Sequence, residues 1–401
     1  MAVPLLFDAA LALACTFSPS GEPQIGPPLE PSAWYRLCGI TPPEATQADL
    51  VALACAENLP EACLPRLRAL PALLDAARGR LESLARRGVT VITACHADWP
   101  SRLTQRLGSS APILLYTAGD LSLVHTGGLT VVGSRELTDE ATTFAQRVGR
   151  TCADQAITVI SGAAKGADRT AMTACLQEDG ASIGVVPDGL GRAAHATVWR
   201  THVDAGRLLL ISMEPPEAAF TARAAHCRNR VLYALGDWSL VISAREGVGG
   251  TWTGAMTNLR EGWSPLFVRD EPGAEAGNAA LIRQGALPVA RDVLGFGVGL
   301  RAWLNDMAES YNPQPCDSRP HEPVQSTLPF PPGPALLAVW PVLQPLLRQG
   351  VSASRVASEL GVLNMQARRW LEEATAAGMA IRLARGRFGL PGEDNVIRTE
   401  G

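Results

Sequence analysis

Apolar positions along this chain follow two patterns in succession. Up to about residue 110 they recur at helical spacing, as in ADLVALACAENL and RLRALPALLDAARGRLESLARRG. PSGEPQIGPPLEPS interrupts them as a turn-rich stretch, and GVTVIT reads as a short strand. From Leu129 onward continuous apolar runs take over. LTVVGS, AITVISG, ASIGVVP, RLLLIS, WSLVISA and SPLFVRD read as buried strands. DEATTFAQRVGRTCADQ, DRTAMTACLQEDG (closed by Gly180), CRNRVLYALG, GTWTGAMTNLREG and NAALIRQG read as helices between or after them. Apolar strands alternating with helices place the protein in the α/β class, with a doubly wound, mostly parallel sheet. In such sheets ligands bind at the carboxyl ends of the strands near the topological switch point, so the strand-to-helix loops are where chemistry is expected.

The pattern breaks again at 312–334, NPQPCDSRPHEPVQSTLPFPPGP, which is dense in proline and reads as a semi-extended linker. After it, LLAVWPVLQPLLRQG reads as a helix despite two prolines, SASRVASELG as a short helix capped by Ser352, and NMQARRWLEEATAAG as a third with Asn364 as cap. AIRLARGRFGL reads as two strands turning at Arg385-Gly386. Three helices and a hairpin make a winged helix. The expected organisation is thus a helical N-terminal domain (1–110), an α/β domain (111–311), the linker (312–334) and the winged helix (335–401).

Composition narrows the function. The formal net charge is −4, which excludes a general polyanion binder and leaves only local basic patches. Over 128–300 there are 16 basic and 18 acidic residues, so any cationic site must be focused. Over 348–390 seven arginines stand against three acids, a local excess that suits duplex DNA contact by a winged helix; a protein-docking module of the same shape is the alternative. Nine cysteines are scattered with no paired spacing, which implies a reducing compartment, no disulfide framework and no zinc site. All nine read as small buried apolar side chains. LLFDAALALAC mimics a short secretory segment, but Asp8 interrupts it and no basic region precedes it. No apolar run is long enough to span a membrane, and a cytoplasmic protein is expected.

Four strand-end loops carry candidate chemistry. In VVGSRELTD, Gly133 ends a strand, Ser134 can donate a hydrogen bond and Arg135 reaches outward. ISGAAKGAD holds Lys165, the one lysine among 35 basic residues, between Gly162 and Gly166, which would let the backbone approach a ligand. Backbone N–H groups there, with the following helix N-terminus, would attract an anion. In HCRNRVLYALG, Arg228 and Arg230 flank Asn229 at what reads as a helix start, where cations oppose the helix dipole unless an anion is bound. In GVGGTWTGA, Gly249 and Gly250 precede a helix that Thr251 can cap. Four such loops on one sheet edge point to a phosphate-bearing ligand. Trp252 and His226 are candidate base stackers, although both also read as ordinary helix residues.

Neither the Walker pattern nor the dinucleotide G-x-G-x-x-G is present. G-x-S-x-G is absent, Asp168 reads as a helix-start carboxylate, Glu214 lacks a partner, and the six histidines have no ligand spacing. No catalytic constellation, metal site or cofactor is expected.

In chain order, ILLYTAGDLSLV, VVGSR, SGAAKGAD, EPP, RNRVLYALGDWSLVISA and GNAALIRQGA resemble the motifs of the DprA/Smf family of DNA-processing proteins, an extended Rossmann fold, over about 95–300. The winged helix fits that family's optional C-terminal domain. The resemblance implies single-stranded DNA binding at the sheet edge, homodimers, and loading of a RecA-type recombinase during DNA uptake or homologous recombination. It implies DNA-contacting or loop-shaping roles for Gly133, Ser134, Arg135, Gly162, Lys165, Gly166, Arg228, Asn229 and Arg230; Ser161, Gly249, Gly250 and Thr251, from the strand-end loops, complete the expected DNA- or phosphate-binding set. The sequence departs from the family pattern at VGGTWTG, at AAHC before RNR, and across 187–200. Two other readings stay open. One is a nucleotide sensor or phosphoribohydrolase-like enzyme: GVGGTWTGAM resembles the glycine part of that signature, but Gly254 or Ala255 stands where its glutamate belongs. The other is a winged-helix transcription regulator.

Overall fold

The computed structural model describes residues 10, 30–41, 45–56, 64–193, 197–295, 299–309, 334–348 and 350–360, with 367, 370, 371, 374, 375, 379–383 and 387–390. The chain divides into two compact units, Met1–Leu37 with Thr41–Pro320, and Cys38–Ile40 with His321–Gly401.

Four helices come first along the chain, α1 (Pro31–Ile40), α2 (Gln47–Ala56), α3 (Leu64–Arg68) and α4 (Leu70–Arg86). Strand β1 (Thr90–Thr93), helix α5 (Ser101–Leu107) and strand β2 (Leu114–Gly119) follow. Then come β3 (Leu129–Val132), α6 (Asp139–Asp154), β4 (Val159–Ser161), α7 (Ala167–Gln177), β5 (Ser182–Val186), α8 (Leu190–Ala193), α9 (Thr197–Asp204) and β6 (Leu208–Ser212). The first unit closes with α10 (Ala222–Leu235), β7 (Trp238–Val241), α11 (Gly249–Glu261), β8 (Leu266–Arg269), α12 (Ala276–Arg283), β9 (Leu287–Val289) and α13 (Leu300–Glu309).

All nine strands form one sheet in the order β1-β2-β6-β5-β4-β3-β7-β8-β9. From β6 to β9 every pairing is parallel, while β1–β2 and β2–β6 are antiparallel. The chain steps outward from β3 to β6 and returns to the other side of β3 with β7. The switch point therefore lies between β3 and β7, paired Leu129 to Trp238 through Val132 to Val241.

The six strands expected after Leu129 are all present, and each is buried along its length as continuous apolar runs require. Helix α6 shows how the flanking layer is built. Thr138 caps it by accepting from the Ala141 N–H at 3.2 Å, and Asp139 and Glu140 sit in its first turn. Its buried stripe, Ala141, Phe144, Ala145, Val148 and Cys152, keeps helical spacing and packs with Met172, Cys175 and Leu176 of α7 in the main core. Removing the Phe144 ring would cost about 3–5 kcal/mol.

Several local expectations change. The sheet reaches back to residue 90, because GVTVIT pairs with ILLYTAG along one edge. Leu287–Val289 is a further strand that its Pro288 concealed. Helix α7 ends in a left-handed Asp179 (φ 59°) rather than at a left-handed glycine; the Gly180 N–H donates to the Cys175 carbonyl. Of the six described cysteines, Cys152 and Cys175 are buried, Cys38, Cys95 and Cys227 are half-buried and Cys55 is exposed. The reading of all nine as core residues therefore fails.

In the second unit, α14 (Pro334–Leu347) does run through Pro341 and Pro345. It is followed by β10 (Val351–Ser352), α15 (Ala353–Leu360), β11 (Ile381–Leu383) and β12 (Arg387–Gly389). The three strands form an antiparallel sheet, β10-β12-β11. Leu343, Leu347, Val356, Trp370, Leu371 and Phe388 share one core. Ser352 Oγ accepts from the Arg355 N–H at 3.4 Å, as a cap of α15 should. Asn364, the Arg385-Gly386 turn, the linker at 312–333 and all of LLFDAALALAC except Ala10 lie outside the described residues.

Candidate functional site

The loops after β3 and β7 enclose a cleft of about 660 Å³ at the switch point. Gly133, Ser134, Arg135 and Glu136 form one side, Ser243, Ala244, Arg245, Val248, Gly249 and Gly250 another, and α10 supplies a third wall. A second groove of about 510 Å³ lies along α6 and α7 and is lined by Arg135, Gln146, Arg150, Lys165, Arg169, Thr170, Thr173 and Gln177, among others. Arg135 borders both.

The two halves of ISGAAKGAD do different work. Ser161 is fully buried and donates to the Val131 carbonyl at 2.6 Å, so it braces the sheet and cannot reach a ligand. Asp168 does stand in the first turn of α7, which starts at Ala167 after Gly166, but no side chain caps that helix. Instead the buried Asp168 carboxylate accepts from the backbone N–H groups of Gly162, Ala164 and Gly133. Burial raises it to about 6, against the pull of Arg228 and of those three donors. The Ala167 N–H donates to the Ser134 carbonyl at 3.2 Å, which joins this turn to the loop after β3. The N–H groups of Gly162, Ala164 and Ala167 are thus taken up within the protein.

Gly162 and Gly166 do allow close approach, but of protein to protein. A Cβ on Gly162 would collide with Arg228 Nη1 and Asp168 Oδ2. At Gly166 (φ 92°) it would collide with the Ser134 carbonyl and the Arg135 backbone. The β3 and β4 loops are thereby locked together, and Ala163 holds a left-handed φ of 52° between them. Lys165 projects from this locked turn, exposed, into the second groove and away from the switch-point cleft.

Arg228 is the largest correction. Helix α10 begins at Ala222, with Thr221 Oγ1 accepting from the Ala224 N–H at 3.0 Å, so RNR sits in mid-helix and the dipole argument does not apply. Arg228 is only 7% exposed. Its Nη1 donates to the Gly162 carbonyl at 2.8 Å and the Val185 carbonyl at 2.5 Å, and its Nε to Asn229 Oδ1 at 3.1 Å. Burial lowers its pKa while Asp168 supports its charge. Asp168 and Arg228 together tie the ends of β3, β4 and β5. Asn229 lines the cleft and donates to the Gly250 carbonyl at 3.3 Å. Arg230 is half-buried and lines neither hollow. The four cations therefore do not converge on one point.

Helix α11 starts at Gly249 (φ 87°), one residue earlier than GTWTGAMTNLREG suggested, and Val248 occupies the cap position. Thr251 is inside the helix and is not its cap. No side chain caps α11, and its first turn, with Gly249 and Gly250 exposed, lines the cleft. Gly254 and Ala255 are buried in the same helix, and a Cβ on Gly254 would meet Tyr233 and Asn229, so this stretch offers no carboxylate in place of the missing glutamate.

Two supports escaped the sequence reading. Asn278 of α12 accepts from the Ala244 N–H at 2.9 Å and donates to the Ile242 and Arg269 carbonyls at 3.1 and 2.9 Å. The fully buried Arg269 donates Nε to the same Ile242 carbonyl at 2.9 Å. Both fix the loop after β7. A buried asparagine in an otherwise apolar helix stretch, NAALI, was the available signal.

Among the described residues no cluster of three or more His, Cys, Asp or Glu could hold a metal, and no helix is long and apolar enough to cross a membrane.

Comparison with known proteins agrees with this architecture. Residues 90–294 match the family model of DNA recombination-mediator protein A. The Escherichia coli protein Smf is 31% identical over 297 residues, 68% of this chain and 72% of that protein. A putative DNA processing protein DprA of Mycobacterium tuberculosis is 28% identical over 248 residues, 56% of this chain and 61% of its own length. The crystal structure of DNA processing protein A from Streptococcus pneumoniae superposes with a TM-score of 0.54 at 20% identity, covering 73% of this chain and 98% of that one. With its switch-point sheet, its locked GSR and SGAAKGAD loops and a family match over half its length, this chain belongs to the DNA recombination-mediator protein A (DprA/Smf) family.

Proposed function

We propose that the protein is a non-catalytic binder of single-stranded DNA acting in recombination, with the strand's phosphates following Arg135, Lys165 and Arg169. One observation carries this reading. The groove along α6 and α7 is lined by four basic side chains and no acidic one. Arg135, Lys165 and Arg169 are exposed and form no salt bridge among the described residues; Arg150 pairs with Glu178 at 3.7 Å. In a chain of net charge −4, such a row of cations suits a phosphodiester backbone better than a single phosphate. Arg135 carries the path into the switch-point cleft, where the uncapped first turn of α11 adds a partial positive charge.

Family membership supports a role in DNA processing. Protection of incoming or processed strands, loading of a RecA-type recombinase, pairing of two copies and a cytoplasmic location belong to the same proposal. In it the C-terminal unit is a winged helix that contacts duplex DNA or protein. The test is filter binding of labelled single- and double-stranded oligonucleotides over a salt series, beside a nucleotide-release assay. Preferential, salt-sensitive retention of the single strand with no nucleotide cleavage is expected. Equal retention of duplex, or release of a base or nucleotide, would overturn the reading.

A further inference from the structure

The groove between α6 and α7 has two fixed walls. Both helices return from the carboxyl ends of the parallel strands β3 and β4, so they run side by side in the same direction. They meet backbone to backbone: a Cβ on Gly149 would collide with the Ala171 carbonyl and with Ala174 Cβ. On the groove side, Thr142, Gln146 and Arg150 follow one another at four-residue spacing on α6, and Arg169, Thr173 and Gln177 do so on α7. From Thr142 to Arg150 this wall extends about 12 Å.

The two ends of the groove differ in charge. Where the helices begin, Arg135 and Lys165 precede them and Arg169 sits in the first turn of α7. The acids of the first turn of α6, Asp139 and Glu140, do not line the groove. Where the helices end, Asp154 closes α6, Glu178 is the C-cap residue of α7, and Asp179 follows it. Neither helix has a basic residue in its last turn. Acids at a helix C-terminus oppose the dipole, so these positions give the three carboxylates no local benefit. Asp179 pairs with Arg207, which does not line the groove. Glu178 pairs with a groove residue instead: its Oε1 lies 3.7 Å from Arg150 Nε, with the two side chains 51% and 59% exposed.

We propose that Glu178 is the end stop of the strand path. It serves Arg150 as an internal counterion, so a strand engages Arg135, Lys165 and Arg169 and leaves the groove before Arg150. This assignment rests on the single-strand reading above and deepens it, because it makes one carboxylate responsible for how much of the groove a strand uses. A phosphate gains at a cation by releasing the counterions held there. At Arg150 the counterion is covalently part of the chain, so displacing it frees no ion and leaves the Glu178 carboxylate beside the incoming phosphate. Arg150 therefore adds nothing to binding while Glu178 is charged, although it is one of the four cations that line the groove.

The experiment introduces Glu178→Gln into the full chain twice, once with Arg150 present and once in an Arg150→Ala background. Binding of a labelled oligothymidylate is read by fluorescence anisotropy over a salt series. With Arg150 present, Glu178→Gln is expected to steepen the slope of log K against log salt by about 0.7, one added phosphate contact. Affinity should rise about twofold to fivefold, as release of an exposed ion pair allows. In the Arg150→Ala background the same substitution should change neither quantity. No gain with Arg150 present, or an equal gain in both backgrounds, would overturn the end stop while leaving the strand reading intact; the equal gain would show only the loss of one negative charge. Wild-type protein that binds no oligothymidylate at any salt would overturn the strand reading and the end stop with it.

Discussion

The switch-point cleft and the groove along α6 and α7 share Arg135 and differ in the rest of their chemistry. The cleft has a buried Asp168–Arg228 pair in its floor, an Arg245–Glu136 salt bridge at 3.3 Å on its rim, and exposed apolar side chains. The groove has threonines, glutamines and four cations with no acid among its lining residues. In the cleft, charge holds protein to protein. In the groove, the charges of Arg135, Lys165 and Arg169 are left for solvent or a ligand. An arginine beside a candidate site is thus not a ligand contact until its hydrogen bonds have been traced, and the neighbouring Arg228 and Arg135 separate on that test.

The sharpest way to break this contrast is to remove the buried cation. Arg228→Ala should destabilise the protein by about 3 kcal/mol or more, since it strands two carbonyls and an Asp168 carboxylate in the interior. Denaturant unfolding measures this, and a stable variant with a selective binding defect would make Arg228 a direct contact instead. Next in size, Lys165→Ala should leave the unfolding midpoint in place and weaken single-strand binding at every sequence, because it removes about one phosphate contact. Lys165→Arg should be mild, since the groove needs a cation and no further property of lysine is used.

A smaller effect separates the two regions by pH. The folded-state value of Asp168 is raised to about 6, above its value in an unfolded chain, so the native state binds the extra proton between about pH 4 and 6. Stability should therefore fall as pH rises through that window and flatten above it. Compared with Asp168→Asn, wild type should gain stability on going from pH 7 to pH 5; a difference that is constant with pH would show that Asp168 does not titrate there. The smallest effect is expected from deleting 335–401, which should leave single-strand affinity nearly unchanged in filter binding. Complete loss would move the site into the C-terminal unit.

The parallel strands were legible because a strand covered on both faces must be a continuous apolar run, and VVGS, VISG and VISA are such runs. Their order around β3 and β7 was not written locally, although the α/β alternation did point to a switch point and hence to the loops that line the cleft. What the residues could not disclose was burial of polar groups. RNR reads as two equivalent cations, yet Arg228 turns inward onto the β4 and β5 carbonyls while Arg230 does not. SGAAKGAD reads as a ligand loop, yet Ser161 and Asp168 close it on the protein and Lys165 alone leaves it.

The central claim is that the strand's phosphates rest on the exposed cations of Arg135, Lys165 and Arg169. The slope of log K against log salt for an oligothymidylate tests it most directly, in wild type and in the Arg135→Ala and Lys165→Ala variants. Each variant should lower the magnitude of the slope by about 0.7, the contribution of one phosphate contact on a single strand. Slopes unchanged from wild type in both variants would contradict the account.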